Sequence, residues 1–451
     1  MNAVKPDAFG GINDSKQDNT VALRTALEYL GDSGGGTLLI PPGIWTTGPL
    51  RLYSDTKLHL EEGSTLSFIP DPELYRPVRT RWEGIECFAM HPLIFANGQH
   101  DVAITGNGSI DGNGAAWWAM LRAKRAANQK RPETPIEREL ARLNPGYESQ
   151  SGGGGGREFQ FLRPPTIQFH DCTDVLLENI SVANSPFWTI HPVYCDRLTI
   201  SNVRVRNPLD APNTDGIDID SCSNVLISDC QIAVGDDGIA LKSGSGPDGI
   251  RVNRPTCNVV VRQCRVADGH GGIVIGSETA AGVHDVLTED CEFLGTDRGI
   301  RIKTRRGRGG EIRDLTFRNL RMKDNLCPLA INMYYRCGST ASDGELFSTF
   351  NQPVTNLTPR ISNVNISGIR ARGCRASAGF IAGLPESPIE NLSITDSIFE
   401  TDESSPATGE ESDMYLGLPP VKGKGFRILN VHDPVFTRVS VHGPAEPFIY
   451  G

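Results

Sequence analysis

The chain has 451 residues, 38% of them hydrophobic and 22% charged, an ordinary balance for a soluble globular protein. Its formal net charge of −10 excludes a surface that attracts nucleic acid as a whole, so an anionic ligand needs local cations. No apolar stretch approaches the ~18 residues of a membrane helix, so we expect neither a membrane nor a nucleic acid as a partner.

Residues 1–50 predict an N-terminal cap and the first coil of the fold. The sequence predicts a helix from Thr20 to Leu30, with Asp18 or Asn19 as its cap. A glycine turn and an apolar strand follow in the run GGGTLLIPPGIW. From Lys57 onward, short apolar runs alternate with turns, which favours short strands over helices.

Residues 115–165 interrupt this rhythm. The runs WWAMLRAKRAANQK and ETPIERELARL are typical of helices, and SGGGGGRE is typical of a flexible connector. We interpret this segment as an inserted excursion and not as a domain.

A repeated unit dominates the sequence after the excursion. Asp or Asn is followed by Val or Leu, one variable residue, and Ile or Leu, and most repeats are 23 to 34 residues apart. Each unit holds two or three short strands that can bury their apolar face only by stacking. We therefore predict an all-β fold, a single-domain right-handed parallel β-helix over residues 1–451, with the active site on the central coils at 166–400. The hydrophobic anchors are Val175, Leu198, Val225, Val259, Val286, Leu315, Val364 and Leu392.

The 11 cysteines are odd in number and lack short paired spacings. Three of them, Cys230, Cys264 and Cys291, recur at equivalent positions of the repeats. We expect buried reduced thiols stacked in the core rather than a disulfide framework or a zinc site.

Polar residues recur in one register beside short glycine-isoleucine runs at residues 216–219, 238–241, 272–275 and 299–302. Neighbouring parallel strands lie about 4.8 Å apart, so residues in one register become neighbours. The residues are Asp215 and Asp237 (two before the first isoleucine), Asp236 and His270 (three before it), and Arg301 and Lys303 (one and three after it).

This set of residue types predicts hydrolysis of a glycosidic bond. Asp215, Asp236 and Asp237 would lie close together, and like charges raise the pKa of at least one carboxyl group. A protonated acid beside ionised carboxylates is what such hydrolysis needs. The alternative is an Asn/Asp ladder that caps turns of a β-helix, which fits Asp218 and Asp220 better.

The two cations predict a local anion site. Arg301 and Lys303 lie two residues apart and emerge on one face of a strand, where they suit a carboxylate or a sulfate. We expect four further arginines to form a solvated turn: Arg298, Arg305, Arg306 and Arg308. Candidate sugar platforms are Trp117, Trp118, Trp188 and Tyr335, although core packing is favoured for Trp188.

Four blocks stand in the order Asn213-Thr214-Asp215, Gly235-Asp236-Asp237, Gly269-His270-Gly271 and Arg301-Ile302-Lys303. In this order they resemble the signature of the polygalacturonases of glycoside hydrolase family 28. The resemblance implies inverting hydrolysis of α-1,4-galacturonosyl bonds without a metal or another cofactor.

The resemblance also implies a role for each site residue. Asp236 is implied as the general acid, and Asp215 and Asp237 as the residues that position and deprotonate water. His270 is implied to support protonation of the acid. Four residues are implied to bind substrate, namely Asn213, Arg301, Lys303 and Tyr335. For the tyrosine, strict register would favour Tyr334 instead.

Additions to the sequence predict exo-action. The runs TRWEGIE (80–86) and SGSGPDGIRVNRPT (243–256), with the excursion at 115–165, resemble those of bacterial exo-acting members. Loops that close a cleft leave room for a chain end only, so galacturonic acid is the expected product.

Other functions stay open. A hydrolase of rhamnogalacturonan or xylogalacturonan in the same family is the main rival, although such rhamnogalacturonan enzymes typically depart from Gly-His-Gly and Arg-Ile-Lys. A pectate lyase would normally need calcium and an arginine base, and a non-catalytic polysaccharide-binding β-helix would not need the whole constellation.

The expected partner is an anionic polysaccharide or oligogalacturonide, and the oligomeric state stays open. The N-terminus as written lacks a signal peptide, which predicts a cytoplasmic location, or a periplasmic or secreted one if a signal was removed.

Overall fold

Short parallel strands make up most of the regular structure. The computed structural model describes residues 2–150, 155–339, 344–409, 414–420 and 423–451. Two compact units are distinguished, Met1–Trp82 with Glu86–Asp218 and Cys222–Gly235, and Glu83–Ile85 with Ile219–Ser221 and Asp236–Gly451. The single domain over residues 1–451 stays a prediction.

The first unit contains three parallel ladders. They run β1-β2-β5-β10-β13-β15-β18, then β3-β6-β11-β14-β16-β19, and β4-β9-β12. The strands up to residue 235 are β1 (Ala3–Val4), β2 (Gly36–Ile40), β3 (Gly43–Thr47), β4 (Leu50–Arg51), β5 (Thr56–Leu60), β6 (Ser64–Phe68), β7 (Pro77–Trp82), β8 (Ile85–Met90), β9 (Ile94–Asn97), β10 (His100–Gly106), β11 (Ser109–Asp111), β12 (Ile167–His170), β13 (Thr173–Glu178), β14 (Ser181–Ala183), β15 (Asp196–Ser201), β16 (Arg204–Arg206), β17 (Ile217–Asp220), β18 (Ser223–Ser228) and β19 (Gln231–Ala233).

The second unit repeats this pattern. Its ladders run β20-β23-β26-β29-β32-β34-β36, then β21-β24-β27-β30-β33-β35, and β22-β25-β28-β31-β33. Its strands are β20 (Asp237–Lys242), β21 (Thr256–Arg262), β22 (Arg265–Ala267), β23 (Gly271–Ile275), β24 (Val283–Glu289), β25 (Glu292–Leu294), β26 (Arg298–Lys303), β27 (Glu311–Arg318), β28 (Arg321–Lys323), β29 (Cys327–Asn332), β30 (Arg360–Ser367), β31 (Arg370–Cys374), β32 (Gly379–Ala382), β33 (Glu390–Thr401), β34 (Phe426–Leu429), β35 (Val435–His442) and β36 (Phe448–Tyr450). Coils stacked in parallel register confirm the predicted all-β parallel β-helix.

The predicted anchors form the core of both units. Val175 pairs with Leu198, which pairs with Val225 in the first unit. In the second unit one continuous row pairs Val259, Val286, Leu315, Val364 and Leu392 in that order. Every anchor is at most 3% exposed. The apolar positions of the repeat therefore mark the inward row of one strand in each coil.

A left-handed residue precedes each anchor, which explains the Asp or Asn of the repeat. These residues have φ between 53° and 56°, a conformation that Asn and Asp tolerate better than other non-glycine residues. Arg197 adopts it as well. The residues are Asp174, Arg197, Asn224, Asn258, Asp285, Asp314, Asn363 and Asn391.

The N-terminal helix is α1 (Thr20–Asp32), as predicted, and the Asp18 carboxylate accepts from the N–H of Thr20 at 2.8 Å. The excursion contains the two predicted helices, α2 (Gly114–Ala126) and α3 (Pro135–Leu143). Most of the glycine run predicted as a connector, 151–154, lies outside the described residues. A fourth helix, α4 (Gly246–Val252), follows β20. None of the helices in the described ranges is long and apolar enough to cross a membrane.

All 11 cysteines are free, and all but Cys257 and Cys337 are buried. The thiols contact neighbouring coils, as where the N–H of Cys264 lies 3.4 Å from Cys291 Sγ. The predicted burial of the thiols is confirmed for nine of the 11 cysteines.

We expect Leu315→Ala to reduce the free energy of unfolding by about 2–5 kcal/mol, because it opens a cavity in the central row of anchors. The adjacent Thr316→Ala removes a half-buried side chain from the same strand and should change it by less than about 0.5 kcal/mol. Urea-induced unfolding of the three proteins measures both effects. Equal losses in the two variants would contradict this assignment of the core.

Candidate active site

Three adjacent strands of the second unit bring the predicted catalytic residues together. The register aligns Ile239 of β20, Ile273 of β23 and Ile300 of β26, and all three are buried. Because side chains alternate along a strand, Arg301 and Lys303 emerge on the face opposite Ile300. The predicted register is confirmed for these strands.

The Asp237 carboxylate is bound by both predicted cations. Arg301 Nη1 donates to Asp237 Oδ1 at 2.8 Å, and Lys303 Nζ donates to Oδ2 at 2.5 Å. Asp237 is 1% exposed, and both cations are buried. Burial opposes ionisation of Asp237, but the charges of Lys303 and Arg301 outweigh it and hold its pKa far below the ordinary value. Asp237 is therefore a carboxylate at neutral pH.

Asp236 and His270 form the second pair of the site. His270 Nδ1 lies 3.0 Å from Asp236 Oδ1, and the backbone N–H of His270 donates to the backbone carbonyl of Asp236 at 2.9 Å. Gly269 before the histidine has a φ of +79°, and a Cβ on Gly272 would lie 2.4 Å from Phe293. The positive φ favours glycine at Gly269 in this turn, and the close approach of Phe293 requires glycine at Gly272 in β23. The imidazole is 45% exposed, so it faces solvent on one side.

The pKa of Asp236 is lowered and the pKa of His270 is raised. The Asp237 charge does act to raise the pKa of Asp236, as does burial, yet the hydrogen bond and charge of His270 lower it below the ordinary value. The hydrogen bond to Asp236 in turn raises the pKa of His270, with the Asp236 charge adding to it. These shifts favour a protonated His270 beside an Asp236 carboxylate in the free protein.

Tyr335 is placed with the cations. Its ring centroid lies 5.5 Å from Arg301 Cζ and 5.3 Å from Lys303 Nζ, close enough for cation–π attraction. Tyr334 instead lies beside Arg306, with 6.0 Å between Cζ and the ring centroid. The geometry groups Tyr335, rather than Tyr334, with the charged cluster.

Four arginines near the site are buried, which contradicts the expected solvated turn. Arg298, Arg305, Arg306 and Arg308 are at most 6% exposed. Arg306 Nε binds Glu386 at 2.6 Å. Paired carboxylates keep such cations inside the protein.

Arg308 belongs to a buried group that the sequence did not reveal. Glu278 Oε2 lies 3.3 Å from Lys242 Nζ, and Oε1 lies 3.8 Å from Arg308 Nη1. Burial opposes ionisation of Glu278, but Lys242 and Arg308 lower its pKa to about 2. Lys303 acts in the same direction, which links this group to the cluster around Asp237. A lone Glu and Lys outside the four blocks gave no signal of this contact.

Asn213 and Asp215 lie in the first unit. Asn213 has a φ of 56°, and its Oδ1 accepts from Arg163 Nη2 at 2.8 Å. Asp215 is 3% exposed, and its carbonyl accepts from the N–H of Thr189 at 2.9 Å. The grouping of these residues with Asp236 and Asp237 stays a prediction. No sequence motif indicated the contact of Arg163 with Asn213.

The tryptophans of the first unit pack inside it. Trp117, Trp118 and Trp188 are at most 6% exposed, and Trp117 contacts the edge of Tyr75 with 5.4 Å between ring centroids. Core packing is confirmed for Trp188. Trp117 and Trp118 are also core residues, so the prediction that they are sugar platforms is wrong.

One exposed group of the first unit has the donors for a cation. Asp55, His100 and Asp101 each place one ligand atom within 4.8 Å of the others. Exposed acidic groups of this kind are common in proteins without a metal.

The site can move protons and hold negative charge. Asp236 and His270 share a proton beside an ionised carboxylate, and two buried cations stand next to them. An acid, a base and a fixed charge are what a glycosidase requires. Fold and site together define a parallel β-helix glycoside hydrolase.

Comparison with known proteins identifies the family. Residues 155–382 match the model of glycosyl hydrolases family 28. A probable polygalacturonase of Vitis vinifera is 30% identical over 397 residues, which span 86% of this chain and 72% of the relative. An endo-polygalacturonase of Pectobacterium carotovorum subsp. carotovorum is 28% identical over 352 residues, or 73% and 76% of the two chains. The crystal structure of a hyperthermoactive exopolygalacturonase from Thermotoga maritima has a TM-score of 0.77 at 32% identity and covers 89% of this chain and 88% of its own. The chain belongs to glycosyl hydrolases family 28, which confirms the resemblance seen in its four blocks.

We expect the pKa of His270 to lie above its ordinary value of 6.5 and to fall below it in Asp236→Asn. Without the carboxylate, burial and the Arg301 charge dominate, and both lower the pKa. Proton NMR of the imidazole as a function of pH measures the change. His284 serves as an internal control, and an unchanged His270 titration would contradict the pairing.

The same pair should make stability depend on pH. Because folding raises the pKa of His270, its contribution to the free energy of unfolding is complete below 6.5 and is lost as pH rises through the raised pKa. Because folding lowers the pKa of Asp236, its contribution is complete above 3.8 and is lost as pH falls through the lowered pKa. Urea unfolding should show both slopes weakened in Asp236→Asn.

Proposed function

We propose that this enzyme hydrolyses α-1,4-galacturonosyl bonds of polygalacturonate from a chain end, with inversion, and releases galacturonic acid. One observation carries the proposal: the Asp237 carboxylate is fixed by Arg301 and Lys303 directly beside the Asp236–His270 pair. This arrangement supports an anion site next to an acid and a base.

The two cations keep donors for a substrate carboxylate. Arg301 Nη2 contacts Met414 Sδ at 3.1 Å, and a thioether is a weak acceptor that a carboxylate can displace. Within the described part of the chain, the Lys303 ammonium donates only to Asp237, although it carries three N–H bonds. A galacturonate carboxylate would accept hydrogen bonds from the remaining donors of Arg301 and Lys303, beside the Tyr335 ring.

Asp236 would act as the general acid with the proton that it shares with His270. Its Oδ1 accepts from His270 and from the Asp237 N–H at 3.0 Å, which leaves Oδ2 for the leaving group. The charge of Arg301 lowers the pKa of His270, so neutralisation of that charge by a bound carboxylate favours the protonated pair. The proton then passes to the glycosidic oxygen as its bond to C1 breaks.

Asp237 and Asp215 would hold the attacking water. The water oxygen bonds to C1 on the face opposite the leaving oxygen, and its proton goes to a carboxylate. The low pKa of Asp237 keeps it ionised to orient the water, whereas the same low pKa makes it a weak acceptor for the proton. The next cycle starts when that proton returns through solvent to the Asp236–His270 pair.

Contacts between two of the added segments support exo-action. Ser245 lies in the added run 243–256, just before α4, and its backbone N–H donates to the Gly84 carbonyl at 2.8 Å. A Cβ on Gly84 would lie 2.7 Å from Glu278 Cγ, so this turn packs directly on the buried Glu278 group. The turn at Gly84 and the segment with α4 would form a wall beside Glu278, which interacts with Lys303. This wall would close one end of the site. The likeness to the Thermotoga maritima exopolygalacturonase agrees with this.

We expect polygalacturonate to yield monogalacturonate from the first minutes of digestion. Asp236→Asn should slow its release by about 10²–10⁴-fold, because the leaving oxygen loses its proton donor. A time course by chromatography with mass detection measures both. An early spread of oligomers would retain the chemistry but contradict the exo-action. No product from polygalacturonate, together with cleavage of rhamnogalacturonan or xylogalacturonan, would overturn the substrate assignment.

We expect Lys303→Met to lower kcat/KM on polygalacturonate by about 100-fold, because Asp237 and the substrate carboxylate both lose a buried charged partner. Lys323→Met, on the exposed Lys323 side chain of β28, should leave it unchanged. Steady-state kinetics on both variants test this. A loss no larger than that of the control would remove Lys303 from the proposed anion site.

A further inference from the structure

A groove on the first unit gathers positive charge that the proposed mechanism does not use. Three arginines line it from separate segments, namely Arg24 on α1, Arg51 at the end of β4, and Arg76 before β7. Its volume is about 330 Å³. That volume lies at the lower end of the range for small-molecule sites and suits one or two sugar rings.

The charges of the groove do not cancel. Of the described residues that line it, three are arginines and one, Glu28, is acidic, while Glu139 contacts Arg76 from outside the lining; the net charge of the chain is −10. His91 at its edge adds no charge near neutral pH, because burial and the charges of Arg24 and Arg51 hold its pKa at about 4. The groove is thus a local anion site on an acidic protein.

A hydrogen bond holds the Arg24 guanidinium in place, whereas Arg76 is largely exposed. Arg24 Nε donates to the Pro49 carbonyl at 2.7 Å, which fixes the guanidinium and keeps its two terminal nitrogens for a ligand. Arg51 Cζ lies 5.7 Å from the centroid of the Tyr53 ring. Arg76 has a 3.6 Å contact with Glu139, and its side chain is 75% exposed. Preorganised guanidinium groups lose little freedom when they bind a carboxylate.

The remaining lining suits a sugar. Tyr53 and Leu74 present apolar surface between the arginines, and Leu74 is 39% exposed. Sugars combine apolar ring faces with polar edges, and a uronate adds a carboxylate that guanidinium binds in a bidentate manner. We propose that this groove binds a short stretch of a polyuronate chain as a second, non-catalytic site. The choice of a polyuronate rests on the proposed function.

Such a site would keep the enzyme on its polymer. A chain that is bound at one site raises the effective concentration of its ends at another. Short substrates that cannot occupy both sites would gain nothing. The groove should therefore affect polymer hydrolysis and leave digalacturonate hydrolysis unchanged.

The test combines Arg24→Gln with Arg51→Gln, which removes two charges and keeps the aliphatic stems. In the Asp236→Asn background, affinity electrophoresis through polygalacturonate should show binding weakened about fivefold to tenfold. Arg204→Gln with Arg206→Gln on β16 removes two exposed charges outside the groove and should leave retention unchanged. In the otherwise wild-type enzyme, the groove pair should raise KM for polygalacturonate and not for digalacturonate.

The outcomes separate this inference from the proposed function. Equal retention by the two double variants would overturn the groove, even if the enzyme hydrolyses polygalacturonate. Stronger retention by dextran sulfate than by polygalacturonate, dependent on Arg24 and Arg51, would also overturn it, because the site would then bind any polyanion. If the wild type fails to cleave polygalacturonate but its retention still depends on this arginine pair, the groove stands and the proposed function falls.

Discussion

The contact of Asp237 with Arg301 and Lys303 is the interaction on which the site depends. A buried carboxylate that loses one of two buried cations is left with uncompensated charge, at a cost of several kcal/mol. The three residues meet because β20, β23 and β26 are held in one register by their inward isoleucines. A slip of one residue would turn Arg301 and Lys303 toward the core. The packing of the β-helix and its chemistry are thus set by the same pairing.

Charge balance also decides where the acidic proton resides. Burial and the Asp237 charge oppose ionisation of Asp236, whereas the hydrogen bond and the charge of His270 favour it in the free protein. A substrate carboxylate at Arg301 would remove part of the charge that disfavours protonated His270. The proposed enzyme therefore becomes a better acid when a galacturonate occupies the site. Recognition and proton transfer would depend on one pair of cations.

Sequence patterns predicted the parts that repeat. The anchors, their Asp or Asn partners and the positions of Asp236, Asp237, His270, Arg301 and Lys303 follow from a period that the fold converts into neighbouring positions. Contacts between distant, non-repeating segments could not be predicted, as with Glu278 and Lys242 or Asn213 and Arg163. The direction of the pKa shift of Asp236 was also beyond the sequence, because it depends on the distances to several charges of both signs.

The most direct test of the account is a crystal structure of Asp236→Asn with trigalacturonate. The account predicts one sugar carboxylate within about 3.5 Å of Arg301 Nη2 and of Lys303 Nζ, with the Asp237 contacts retained. The glycosidic oxygen of the adjoining bond should lie within hydrogen-bonding distance of residue 236. A trisaccharide bound with only neutral hydroxyl groups at Arg301 and Lys303 would contradict it.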